Sequence, residues 1–182
     1  MIGTLKTEPA LARPDLLAAR VRAMLERWPD RDRVDQVLVA PIDPDLADTV
    51  AFCAAYEVGL DASANCVVVA GKREGQVRYA AALLLATTRA DVNNTVRRYL
   101  NVRKASFAPM DTAVAETGMD YGGITPIGLP AAWPVLVDAR VVAVPHVIVG
   151  SGVRHSKIVL PGPLVAELPG AQVVEDLARP LD

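Results

Sequence analysis

Two largely apolar, β-like runs, residues 65–70 and 78–85, bracket the polar segment Gly71-Lys-Arg-Glu-Gly-Gln76. Such runs around a short, glycine-bearing connection read as a β-hairpin with a charged tip. This constrains the fold more than any other stretch, because it sets a sheet in the middle of the chain. Upstream, Pro14 stands at a first helical position, and Leu16, Leu17, Val21, Met24 and Leu25 follow at helical spacing up to Trp28-Pro29. Residues 36–40 read as a short strand. Asp43 or Asp45 can cap a second helix that carries Val50, Phe52, Cys53 and Tyr56 and stops at Gly59.

Downstream of the hairpin, residues 91–100 have a helical pattern ending in Arg97 and Arg98, where cations suit the helix dipole. A brief strand at 105–108 and a short helix at 111–116, closed by Gly118, come next. Residues 135–138 and 141–144 read as strands, 147–149 lead into Gly150-Ser151-Gly152, 158–160 read as the final strand, and 163–168 as a closing helix. The tail after Gly170 is expected to be peripheral or docked. Short strands mixed with helices, without regular βαβ alternation, predict an α+β domain on a curved, partly closed, barrel-like mixed sheet with surrounding helices.

With 182 residues and 52% apolar content the chain is long enough for one full core, and with only 4% aromatic residues that core is aliphatic. A net charge of −2 gives no global pull toward nucleic acid, and DNA is not an expected partner. A local basic face can still meet an RNA end. Lys72, Arg73, Arg78, Arg103, Lys104, Arg154 and Lys157 are candidates for such a rim, against the plainer reading of a solvated face. Cys53 and Cys66 sit among apolar neighbours outside any CxxC pattern, which suits a reducing compartment. The N-terminal stretch has an early acid and no signal-like apolar core, and the longest apolar run is too short for a bilayer. The expected location is the cytoplasm, with no membrane partner.

The stretch Tyr121-Gly-Gly-Ile-Thr-Pro-Ile-Gly-Leu129 builds a backbone surface. Gly122 and Gly123 permit positive φ and close approach, and Pro126 holds the loop. Amides aimed at one point can hold an ester or oxyanion oxygen; the alternative is an ordinary connection. Other motifs fail. Gly150-Ser151-Gly152 opens like a dinucleotide fingerprint, but His155 stands where the third glycine belongs. Neither Ser151 nor Ser156 lies in a nucleophile elbow. His146 and His155 lack a metal-ligand pattern, so no metal or cofactor is expected.

The strand Ala64-Asn-Cys-Val-Val-Val69 is followed by the hairpin, a helix, Lys104-Ala-Ser-Phe-Ala108 and a short helix. Next come Gly122-x-x-x-Pro126 with Ile127-Gly128, Val135-Leu-Val-Asp138 and Val149-Gly-Ser-Gly152. This order of features resembles the YbaK and prolyl-tRNA synthetase insertion domains, over roughly residues 46–168. It implies an editing domain over 46–170, with residues 1–45 a helical extension packed on it and 171–182 a tail. It also implies a pocket for the aminoacyl ester at a tRNA 3′ end, hydrolysed by positioning, backbone amides and the substrate's own ribose hydroxyl, without a metal or cofactor. Gly122, Gly123, Thr125 and Pro126 would form the carbonyl-binding loop, and Gly150, Ser151 and Gly152 another wall.

One departure matters: the family's lysine falls on Asn65, which offers hydrogen bonds but no charge. Lys157 is a candidate to restore a cation from another strand, against an exposed edge-strand lysine. Cys66 reads as a packing thiol rather than a nucleophile. Asp138 either orients a loop or ends its strand, and Asp120 reads as a turn residue rather than a base. The implied activity is deacylation of a tRNA mischarged with a small amino acid, alone or beside a synthetase. The alternatives are a catalytically weak binding module for aminoacyl-tRNA or an aminoacyl-like ligand, and an unrelated small-molecule binder on the same fold.

Overall fold

Residues 2–181 are described in the computed structural model. The chain opens with strand β1 (Glu8–Pro9) and two 3-10 turns, Ala10–Ala12 and Pro14–Leu16. Helix α1 (Ala19–Arg27), a helical turn α2 (Arg31–Val34) and strand β2 (Leu38–Pro41) follow. The helix expected from Pro14 is thus split. Leu17 and Ala18 are extended, and the Ala18 amide bonds the Ser151 carbonyl at 3.1 Å, a tertiary contact that outweighs helix continuation. Asp43 caps only a 3-10 turn, Pro44–Leu46. Helix α3 (Thr49–Ala55) starts later, with the Asp48 carboxylate accepting from the Val50 amide at 3.1 Å.

The hairpin is strands β3 (Ala64–Arg73) and β4 (Gln76–Leu85), in register from Ala64 opposite Leu85 to Arg73 opposite Gln76. Its two-residue turn holds Glu74 at φ 52° and Gly75 at φ 79°, the left-handed pair that matches strand twist. Strand β5 (Thr88–Ala90), a turn of π-helix (Val92–Val96), helix α4 (Arg97–Leu100) and strand β6 (Ala105–Phe107) come next. Helix α5 (Met110–Thr117) ends on Gly118 at φ 66° and leads into the glycine loop. The remaining elements are β7 (Val135–Asp138), α6 (Ala139–Ala143), β8 (His146–Gly150), β9 (Ser156–Pro161), α7 (Gly162–Val165), β10 (Ala171–Val174) and β11 (Ala178–Pro180).

The strands form a five-stranded mixed sheet in the order β10-β7-β4-β3-β6, a four-stranded antiparallel sheet in the order β1-β2-β9-β8, and the pair β11-β5. The fold is mixed α+β. Among the described residues no sheet closes on itself; the two larger ones meet through a single parallel bridge between Ser63 and Ile148. The largest apolar cluster fills the space between them and α1, with Val21 and Leu25 against Leu83, Val137, Val149 and Ile158.

Two expectations are corrected. Residues 141–144 do not form a strand: Asp138 caps α6, and its carboxylate accepts from the Arg140 amide at 3.0 Å. The final strand is not 158–160, because β10 adds in parallel to the edge of β7 and β11 pairs with β5.

Candidate functional site

The residues just before and within α3, the start of β3, the glycine loop and the β8–β9 turn enclose a cavity of about 470 Å³. Asp48 and Thr49 come from the first, Asn65 and Cys66 from β3, Gly122 and Ile124 from the loop, and Gly150, Arg154 and Lys157 from the third wall. A larger groove of about 640 Å³ between α1 and residues 128–131 is lined by Gly128 and Leu129, the end of the glycine stretch, and by none of the candidate site residues.

Asn65 is pinned by Thr49, whose hydroxyl donates to the carboxamide oxygen at 2.7 Å and leaves the NH2 for another partner. Gly122 sits at φ 80° on the rim, and a Cβ there would stand 2.5 Å from the Arg154 guanidinium. Arg154 itself donates to the Tyr121 carbonyl at 3.2 Å. The Arg154 amide donates to the Asp120 carboxylate at 3.2 Å, so Asp120 ties the β8–β9 turn to the glycine loop. Gly123 is a packing glycine. Its amide donates to Asp120 O at 3.0 Å, its carbonyl accepts from the Gly152 amide at 2.8 Å, and a Cβ would meet Val153 O at 2.6 Å. Gly150 lines the cavity and lies against the same loop.

Several candidates lie beneath the cavity or away from it. Thr125 and Pro126 are buried within the loop and do not line the cavity, with the Thr125 hydroxyl unpaired among the described residues. Ser151 Oγ is 2.7 Å from Ser156 Oγ, which in turn donates to Leu16 O at 2.6 Å, so both hydroxyls are committed to holding the chain together. Gly152, at φ 84°, packs against Ala18 and Val21.

Asp138 is on β7, buried, where it accepts from the Arg140 side chain at 3.1 Å and the Ala178 amide at 2.9 Å. Asp138→Ala should therefore cost about 2–4 kcal/mol, from a lost cap and a stranded buried N–H. Urea denaturation would read the loss, while activity well below the melting temperature should stay intact.

Lys157 is not an exposed edge lysine. It occupies β9, paired on both sides, opposite Ala40 on β2 and Gly150 on β8. Its ammonium is 5.4 Å from the Phe52 ring centroid and donates to Ala47 O at 3.0 Å. Burial pushes its pKa below the ordinary 10.5, and Arg154 pushes the same way, against the pull of Cys53 and Asp48. Burial pushes the Cys66 thiol up to about 12, so it stays protonated at neutral pH. His155 Nε2 is 3.3 Å from Asp15 O, and neither histidine lines the cavity. No group of three metal-ligating side chains occurs among the described residues. The cavity therefore has two cations, one carboxylate and no activated nucleophile.

Residues 43–168 match the family model of the aminoacyl-tRNA editing domain. The chain belongs to that family. The editing domain has the fold of a proposed trans-editing enzyme for prolyl-tRNA synthetase: 20% identity, 87% of this chain and 94% of the other, TM-score 0.69. A scaffold protein used for epitope backbone grafting by computational design has it too, at 21% identity, 87% and 95% coverage, and TM-score 0.70. No curated protein matches the chain. No helix among the described residues is long and apolar enough to cross a membrane. Residues ahead of the family match give the editing domain α1 in its largest core and β2 in its four-stranded sheet. Asp48 and Thr49 escaped the reading of the sequence; the only signal for them was an acid–hydroxyl pair at a helix start.

Proposed function

We propose that this editing domain hydrolyses the ester joining a wrong, small amino acid to the 3′ end of a tRNA. The observation that carries the reading is the convergence of Asn65, Gly122, Gly150 and Lys157 on one cavity, despite their separation in the chain. Water adds to the ester carbonyl carbon, negative charge collects on the carbonyl oxygen, and the carbon–oxygen bond to the ribose breaks as the ribose oxygen takes up a proton. The Asn65 NH2, the Gly122 amide and the Lys157 ammonium are the donors available to that oxygen. A donor placed where charge develops is worth about 3–4 kcal/mol. Asp48 supplies the carboxylate for the substrate's α-ammonium, and Arg154 a guanidinium for the terminal phosphate. With the Ser151 and Ser156 hydroxyls tied and the Cys66 thiol protonated, the reading invokes no covalent enzyme intermediate.

A second reading, capture of aminoacyl-tRNA without efficient turnover, is favoured by Asn65 in the place of the family lysine. A panel of mischarged tRNAs, incubated with the native chain and with Asn65→Lys, separates the two. Native turnover of at least one small-residue ester is expected. Binding without turnover, with hydrolysis gained in the lysine variant, would favour capture. No binding of any charged tRNA would remove both.

A further inference from the structure

The outer end of the hairpin and the segment after the π-helix form a second charged feature, at the far end of β3 from the cavity. Lys72, Arg73 and Arg78 come from the hairpin, and Arg97, Arg103 and Lys104 from residues 97–104. In a chain of net charge −2, these two segments contain a single acid, Glu74. Gly71 is what brings them together: a Cβ there would meet Val102 Cγ2 at 2.6 Å and Lys104 O at 2.8 Å. Lys72, Arg73 and Arg103 accordingly line one surface depression, and Lys72 and Lys104 the next.

The arginines are held by carbonyls more than by carboxylates. Arg73 donates to Asn101 O at 3.1 Å, Arg78 to Leu100 O at 3.2 Å and Arg97 to Asn93 O at 2.7 Å. A carbonyl fixes a guanidinium without neutralising it. Among the described residues, Arg73 alone of these also has a carboxylate partner, the exposed Glu74 at 3.4 Å. A cluster of oriented, unneutralised cations matches a regular row of phosphates.

We propose that this surface docks the phosphate backbone of an RNA stem while the 3′ end of that RNA enters the cavity. The identity of the RNA as the acceptor stem of a tRNA rests on the editing reading. β3 sets the distance. Asn65 and Arg73 are its second and last residues, so the cavity and the basic cluster are about 25 Å apart along the strand at the usual rise per residue. That span leaves room for unpaired 3′ nucleotides between a docked stem and a bound ester.

The test uses Lys72→Gln, Arg103→Gln and Lys104→Gln together in the full chain, because none of these side chains donates a hydrogen bond among the described residues. Binding of uncharged tRNA is followed by fluorescence anisotropy across a salt series. The native chain is expected to bind with steep salt dependence, and the triple variant to lose about three units from the log–log slope and at least 10-fold in affinity at moderate salt, with an unchanged melting temperature. Cleavage of an aminoacyl ester of adenosine alone should be the same in both proteins. Equal tRNA affinity and equal slope in native and variant, or no tRNA binding by the native chain, would overturn the docking surface. A native chain that binds tRNA in this way but cleaves no ester would overturn the editing reading and leave the surface standing.

Discussion

Lys157→Met is expected to lower deacylation of a mischarged tRNA by about 100-fold or more while leaving the melting temperature unchanged or higher. An ordinary core position gives the opposite pattern. Lys157 is 8% exposed, and among the described residues its charge is met by one carbonyl and one aromatic face rather than a carboxylate within salt-bridge distance. Burial of an ammonium on those terms costs stability, and an apolar side chain of similar length removes that cost. The pKa supports the same conclusion. Because the folded value lies below the unfolded 10.5, the unfolded chain binds more protons between the two. Stability should therefore rise as pH climbs through the depressed folded value toward 10.5, and the methionine variant should lack that rise. Chemical denaturation at neutral pH and near pH 10 measures it. The activity loss follows from removing a cation aimed at the developing oxyanion, worth about 3–4 kcal/mol. A fall in activity that tracks a fall in stability would make Lys157 a packing residue, and unchanged activity would remove it from the chemistry.

The sequence was most legible where structure is local. The β3–β4 hairpin, the Gly118 stop of α5 and the stretch from Gly122 to Gly128 all follow from neighbouring residues, and each is found near its expected bounds. It was least legible where a distant segment decides. Residues 141–144 have the composition of a strand, yet the cap at Asp138 and the packing of Val141 into the large core make 141–143 helical. β10 pairs in parallel with β7 across more than thirty residues, and no turn chemistry announces such a pairing. The sequence leaves Lys157 open between a pocket cation and an exposed edge lysine, because nothing nearby shows that β2, from the N-terminal segment, covers the outer side of β9. The glycines divide for the same reason. The positive φ of Gly122 is a local property, whereas the packing roles of Gly123 and Gly150 exist only where two loops touch.

That contact leads to the second large effect. Gly150→Ala should destabilise the fold by about 3 kcal/mol. At this chain length that lowers the melting temperature by about 6–12 °C. Deacylation should also be lost at temperatures where the variant is still folded. Gly150 needs no unusual φ, so the argument is steric. A Cβ at this position would overlap the Gly123 carbonyl oxygen and stand 2.7 Å from both the Gly123 carbon and the Ile124 oxygen. All three are backbone atoms, so no side chain can swing away. On its other side Gly150 is registered against Lys157 in the β8–β9 ladder, and that pairing holds it in place. The glycine loop must then move outward, which takes the Gly122 and Ile124 amides away from Asn65 and Lys157. Gly59→Ala is the control: its Cβ would meet only the far end of the Asp61 side chain, which can rotate, so stability and activity should both be close to native. If Gly150→Ala kept native turnover while losing stability, the spacing between loop and β8 would not be what positions the ester. If turnover and stability both survived, the loop would be soft enough to yield, and backbone preorganisation could not be the source of catalysis here.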